Sequence, residues 1–95
     1  MMKINILKKT KNELKIEIEG EGHTFCNLLQ DALLEDKSVE MAGYDIPHPL
    51  QARPILHVRT RADRSPERAL LKALDRIGHI NDEFLQEFEK ATKPR

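Results

Sequence analysis

From residue 70 to residue 88 the apolar side chains keep to one angular sector of a helix. Leu70, Ala73, Leu74, Ile77, Phe84, Leu85 and Phe88 stay in phase at 100° per residue. Ahead of them, Ser65-Pro66-Glu67 supplies an N-cap, a proline at the first helical position and an acid in the first turn. The phase survives Gly78, so the pattern predicts one helix over about 66–90. At 1.5 Å per residue, about 25 residues measure roughly 38 Å. A compact chain of 95 residues has a radius of gyration of roughly 12 Å, hence a diameter near ~32 Å. An apolar stripe that runs the full length of such a helix outreaches its own body, and one end is expected to need cover from outside. Asn81 falls at the centre of the stripe, either fixing register and partner choice or marking where the stripe passes the domain edge.

The rest of the chain is consistent with one small domain over residues 1–91 and a frayed tail over 92–95. Apolar residues make up 39% and charged residues 34%, so core material is scarce for the length. Lys and Arg (16) cancel Asp and Glu (16), and no net field draws the chain to nucleic acid or an acidic membrane. The single cysteine excludes an internal disulfide framework and a multi-cysteine zinc site. The apolar run at the N-terminus is too short for a signal peptide, and no 18 apolar residues run together. A cytoplasmic protein without membrane contact is the expectation.

Residues 3–19 read as a β-hairpin with its turn at 8–12. Leu14, Ile16 and Ile18 alternate with Glu13, Lys15, Glu17 and Glu19, the clearest period-2 signal in the chain. Thr24 is placed as N-cap of a helix over about 25–36, with Phe25, Leu28, Leu29, Ala32 and Leu33 on one broad side and Leu34 nearly opposite. A third strand at 38–46 changes parity between Val39/Met41 and Ala42/Tyr44/Ile46, which suggests a bulge at Gly43. Pro47, Pro49 and Pro54 bracket an extended loop, and residues 55–61 alternate again. The order β-β-α-β-β-α defines an α+β fold: a four-stranded, largely antiparallel sheet, two helices on one face, the C-terminal one long, and a charged, wet face opposite.

Candidate chemistry is thin. His23 and Cys26, three apart at a helix start, have a zinc-compatible spacing but no second ligand pair; Cys26 as a nucleophile borders the apolar side of its helix. A capping-region histidine and a buried helical cysteine are the expected reading of both residues. The carboxylates Asp31, Glu35, Asp36, Asp82, Glu83, Glu87 and Glu89 read as solvated faces. Arg53, His57, Arg59, Arg61, Arg64 and Arg68 form a basic cluster without stacking aromatics. A solvated or paired face is expected over a role near nucleic acid, with Arg53, Arg59 and Arg61 as partners for Glu13, Glu17 and Glu19 on neighbouring strands.

Three stretches carry a family resemblance. Residues 21–29, with His23-Thr24-Phe25-Cys26-Asn27, resemble the His-Thr-Leu-x-Asn helix start of alpha-like RNA polymerase subunits. Residues 42–50, with Tyr44 and His48-Pro49-Leu50, resemble their Tyr-x-x-x-His-Pro-Leu strand exit. Residues 54–60, followed by Ser65-Pro66 and a C-terminal helix, complete a pattern that covers about 3–89. With no second domain inserted, the chain resembles the small (subunit L type) alpha-like family of archaeal RNA polymerase and its eukaryotic counterparts. The resemblance implies a non-catalytic assembly subunit without cofactor or metal. It pairs with a larger alpha-like subunit, and the pair is a platform for the two large catalytic subunits. It also implies that His23, Thr24 and Asn27 organise the interface and that Tyr44, His48, Pro49 and Leu50 shape the loop beside it. Periodicity adds Phe25, Leu28, Leu29, Leu70, Leu74, Ile77, Phe84 and Phe88 to the expected partner surface. Gln30 and Asp31 stand where the bacterial subunit carries paired arginines, so no large-subunit contact is transferred through them. The alternative is an α+β module that self-associates through the same helix and binds a small ligand.

Overall fold

The structure is a computed structural model that describes residues 3–20, 23–46, 53–78 and 81–92, without the side chains of residues 23 and 81–85. Strands β1 (Lys3–Lys9) and β2 (Glu13–Glu19) form the hairpin; helix α1 (His23–Leu34) leads to β3 (Val39–Asp45) and β4 (Ile55–Thr60). Helices α2 (Pro66–Ile77) and α3 (Asn81–Thr92) complete the described chain. All strand pairs are antiparallel, in the order β1-β2-β4-β3. The fold is α+β, with three helices among the described residues where two were expected.

Alternation does the sorting. Leu14, Ile16 and Ile18 of β2 and Leu56 and Val58 of β4 are fully enclosed beneath the helices. Their neighbours Glu13, Lys15, Glu17, His57 and Arg59 lie on the open face. The core continues through Phe25, Cys26, Leu29 and Leu33 of α1, Leu70 and Leu74 of α2, and Phe88 of α3. Helix α1 packs on β3 and α2, α2 on β4 and β2, and α3 on β1.

The predicted single C-terminal helix is two helices. Gly78 caps α2 at φ +83°, ψ −70°, and its N–H donates to the Leu74 carbonyl at 3.0 Å. The break lets α3 turn onto β1, where Phe88 is 5% exposed and Ala91 joins the core. Each half, of 12 residues, spans about 18 Å inside a body of 36 × 32 × 26 Å. Over the described part of the stripe, helix length therefore creates no need for cover from outside, contrary to the expectation.

Two smaller corrections concern element ends. The parity change in β3 is real, but the irregularity lies between Val39 and Met41, and Gly43 pairs regularly with His57. Glu40 is the extra residue there: Val39 faces the core before it, Ala42 and Tyr44 after it. Helix α1 already includes His23, so Thr24 sits in its first turn rather than capping it. The residues of the expected proline loop at 47–52 lie outside the described part; Pro54 is buried, and its carbonyl accepts from the Ile18 N–H at 2.9 Å.

Candidate partner interface

Helix α1 is apolar on more than one side. Phe25, Cys26, Leu29, Ala32 and Leu33 face the sheet and α2, each at most 6% exposed. The opposite face carries Thr24, Asn27, Leu28, Asp31 and Leu34, all exposed at the i, i+3, i+4, i+7 spacing of one helical side. On it Leu28 is 51% and Leu34 52% exposed. Covering the rest of each leucine is worth on the order of 2 kcal/mol.

The neighbouring elements hold this face in place. Arg76 Nη1 of α2 lies 3.3 Å from Glu35 Oε1 just beyond α1. The turn into β3 is closed by Asp36, whose Oδ1 accepts from Ser38 N–H at 2.9 Å and from Ser38 Oγ–H at 2.8 Å. Asp36 Oδ2 is enclosed and, among the described residues, has no hydrogen-bond partner. The Ser38 hydrogen bonds first, then the charges of Lys72 and Arg76, hold the Asp36 carboxyl below the usual carboxylate range against the opposing effect of burial.

The expected surface residues divide in the fold. Thr24, Asn27 and Leu28 share the outer face of α1. Phe25, Leu29, Leu70, Leu74 and Phe88 are spent on the chain's own core, and Ile77 is half-buried against it. Tyr44 is half-buried beside the same core. His23 begins α1, and Asn81 and Phe84 lie in α3, but their side chains fall outside the described part, as do His48, Pro49 and Leu50 altogether. Leu34 is not among the expected contacts, although its position opposite the other apolar residues of its helix is the signal that could have found it.

The open sheet face is a lattice of ion pairs. Glu13 stands 3.1 Å from His57 Nε2, 3.3 Å from Arg59 Nη2 and 3.4 Å from Lys8 Nζ. The hydrogen bond with His57, followed by the Lys8 and Arg59 contacts, draws its carboxyl below the usual range. Arg53 meets Glu19 at 3.7 Å and Arg61 meets Glu40 at 4.0 Å. Arg59 and Arg53 thus pair with Glu13 and Glu19 as expected, whereas Arg61 finds Glu40 instead and Glu17 accepts from Asn5 at 2.9 Å. Cys26 is fully enclosed. Among the described residues no three His, Cys, Asp or Glu side chains stand together as metal ligands, and no helix is long and apolar enough to cross a membrane.

The fold is thus a four-stranded sheet under one helix layer, with apolar side chains exposed on the layer's outer surface. The family model described as the RNA polymerase Rpb3/Rpb11 dimerisation domain matches residues 13–87, and the chain belongs to that family. Its similarity runs to archaeal proteins named DNA-directed RNA polymerase subunit Rpo11. That of Methanothrix thermoacetophila is 44% identical over 92 residues, covering 97% of this chain and 100% of the relative. That of Pyrococcus furiosus is 40% identical over 94 residues, covering 97% and 99%. The crystal structure of DNA-directed RNA polymerase subunit L from Thermoplasma acidophilum has the same fold, at a TM-score of 0.73 and 24% identity over 95% of this chain and 88% of that one.

Proposed function

We propose that this chain is the non-catalytic small alpha-like subunit of a DNA-directed RNA polymerase, working in the cytoplasm. It pairs with a larger alpha-like subunit, and the pair is the platform on which the two large catalytic subunits assemble. The observation that carries the reading is the outer face of α1. In a family described by its dimerisation domain, that face leaves Leu28 and Leu34 half exposed beside Thr24 and Asn27. Thr24 and Asn27 belong to the helix-start motif, and neither has a task in the chain's own core. Phe84 and Asn81, at the start of α3, remain part of the proposed surface.

Co-expression with the larger alpha-like subunit followed by sedimentation tests the reading. A 1:1 complex is expected. Replacing both leucines (Leu28→Asp with Leu34→Asp) should weaken pairing at least ~100-fold, because about 2.7 kcal/mol is lost when two apolar contacts become buried charges. Lys72→Ala should pair normally. Unchanged pairing by the double variant would remove the α1 face from the interface, and a lone monomer indifferent to the partner would remove the whole reading.

A further inference from the structure

The open sheet face contains a glycine that nothing among the described residues requires. Gly43 lies within β3 without a positive φ, and a Cβ built on it meets no atom within 4 Å. A strand interior favours a β-branched residue, and glycine there often marks the close approach of something from outside. The registers place Lys8, Lys15, His57 and Gly43 in one row across the four strands. Above the Gly43 end of that row is a concavity of about 510 Å³ lined by Lys15, Met41, Gly43, Asp45, Ile55 and His57. Met41 is 40% exposed at its rim. Lys15 is exposed and, among the described residues, has no ion-pair partner, since the nearby Glu13 is already engaged by Lys8, His57 and Arg59.

We propose that this hollow seats a polypeptide segment of another subunit, an apolar side chain over Gly43 between Met41 and Ile55 and a neighbouring carboxylate on Lys15. Apolar walls beside one unmatched cation select that pairing. The helices all pack on the other face of the sheet, so this contact is separate from the α1 surface. The inference rests on the proposed function, and it adds the surface through which the assembled pair meets a third chain.

The test uses the purified pair and the large subunits in a reconstitution read by sedimentation. Gly43→Val and Lys15→Glu should each pair normally with the alpha-like partner. The Gly43→Val pair should melt at the same temperature or higher, yet its recruitment of the large subunits should fall tenfold or more, as should that of Lys15→Glu. Recruitment by both variants at the level of the unchanged pair would overturn the proposal. So would a lowered melting temperature for Gly43→Val, which would give the glycine a role in its own fold. Failure of the unchanged chain to pair would overturn the underlying reading instead, and it is seen before any substitution is made.

Discussion

Asp36 illustrates how much a single side chain settles in a chain with little core to spare. Its two hydrogen bonds from Ser38 shape the turn from α1 into β3, and Lys72 and Arg76 of α2 supply the surrounding field. Because the carboxyl titrates lower in the folded chain than in the unfolded one, its contribution is complete above the unfolded value. It is lost as pH falls through the folded one. Asp36→Ala is expected to cost roughly 1 kcal/mol at neutral pH. The gap between variant and parent should close as pH drops below the usual carboxylate range, measured by urea unfolding across pH. A gap that stays constant into acid would show that the charge is not what matters. Asn12 was readable only as a turn residue, yet its side chain donates to the carbonyls of Thr60 (3.0 Å) and Ala62 (2.8 Å), joining the hairpin turn to the loop before α2. Nothing in local sequence links positions 48 apart.

Among the elements, the break at Gly78 has the largest consequence. An apolar phase that runs through a glycine is compatible with one helix or with two joined by a short connection, because both return the stripe to the same side. The backbone decides, since φ +83°, ψ −70° is a region that L side chains rarely adopt. Gly78→Ala should therefore lower stability by about 1–2 kcal/mol. In an uninterrupted helix the same change would raise it by about 1 kcal/mol. Thermal unfolding followed by circular dichroism separates the two by sign, and a gain in both helicity and stability would contradict the break. In β3 the parity change was legible, but its position was not. The glycine drew attention as the easiest place to bend, whereas the pairing puts the extra residue at Glu40.

At the scale of the whole molecule, the described part of the stripe on α2 and α3 is consumed within the chain, and the surface proposed for a partner combines the outer face of α1 with the start of α3. A partner that binds the folded chain alone must raise its melting temperature by mass action. At a partner concentration about 100 times Kd the gain is about 2.7 kcal/mol, or roughly 10–20 °C for a domain of this size. Scanning calorimetry with increasing amounts of the larger alpha-like subunit should show this rise. A melting temperature indifferent to the partner would contradict pairing through any surface.

The sequence by itself determined the strands, their buried faces, the helix starts at Ser65 and near Thr24, and the family, because these depend on periodicity and motif within a few residues. The radius of gyration expected from length, roughly 12 Å, is also close to the 12.3 Å found. Tertiary structure alone decided which apolar residues are core and which are surface. Leu28 and Leu29 are adjacent and chemically identical, yet one is 51% exposed and the other fully enclosed. The reason is geometric: α1 has apolar residues around much of its circumference, and only its position on β3 and α2 picks the side that is covered. The same holds for Leu70 and Leu74, placed beneath α2 by its position over β2 and β4. A side chain's hydrophobicity says that it seeks cover, and the packing of elements distant in sequence says where the cover comes from.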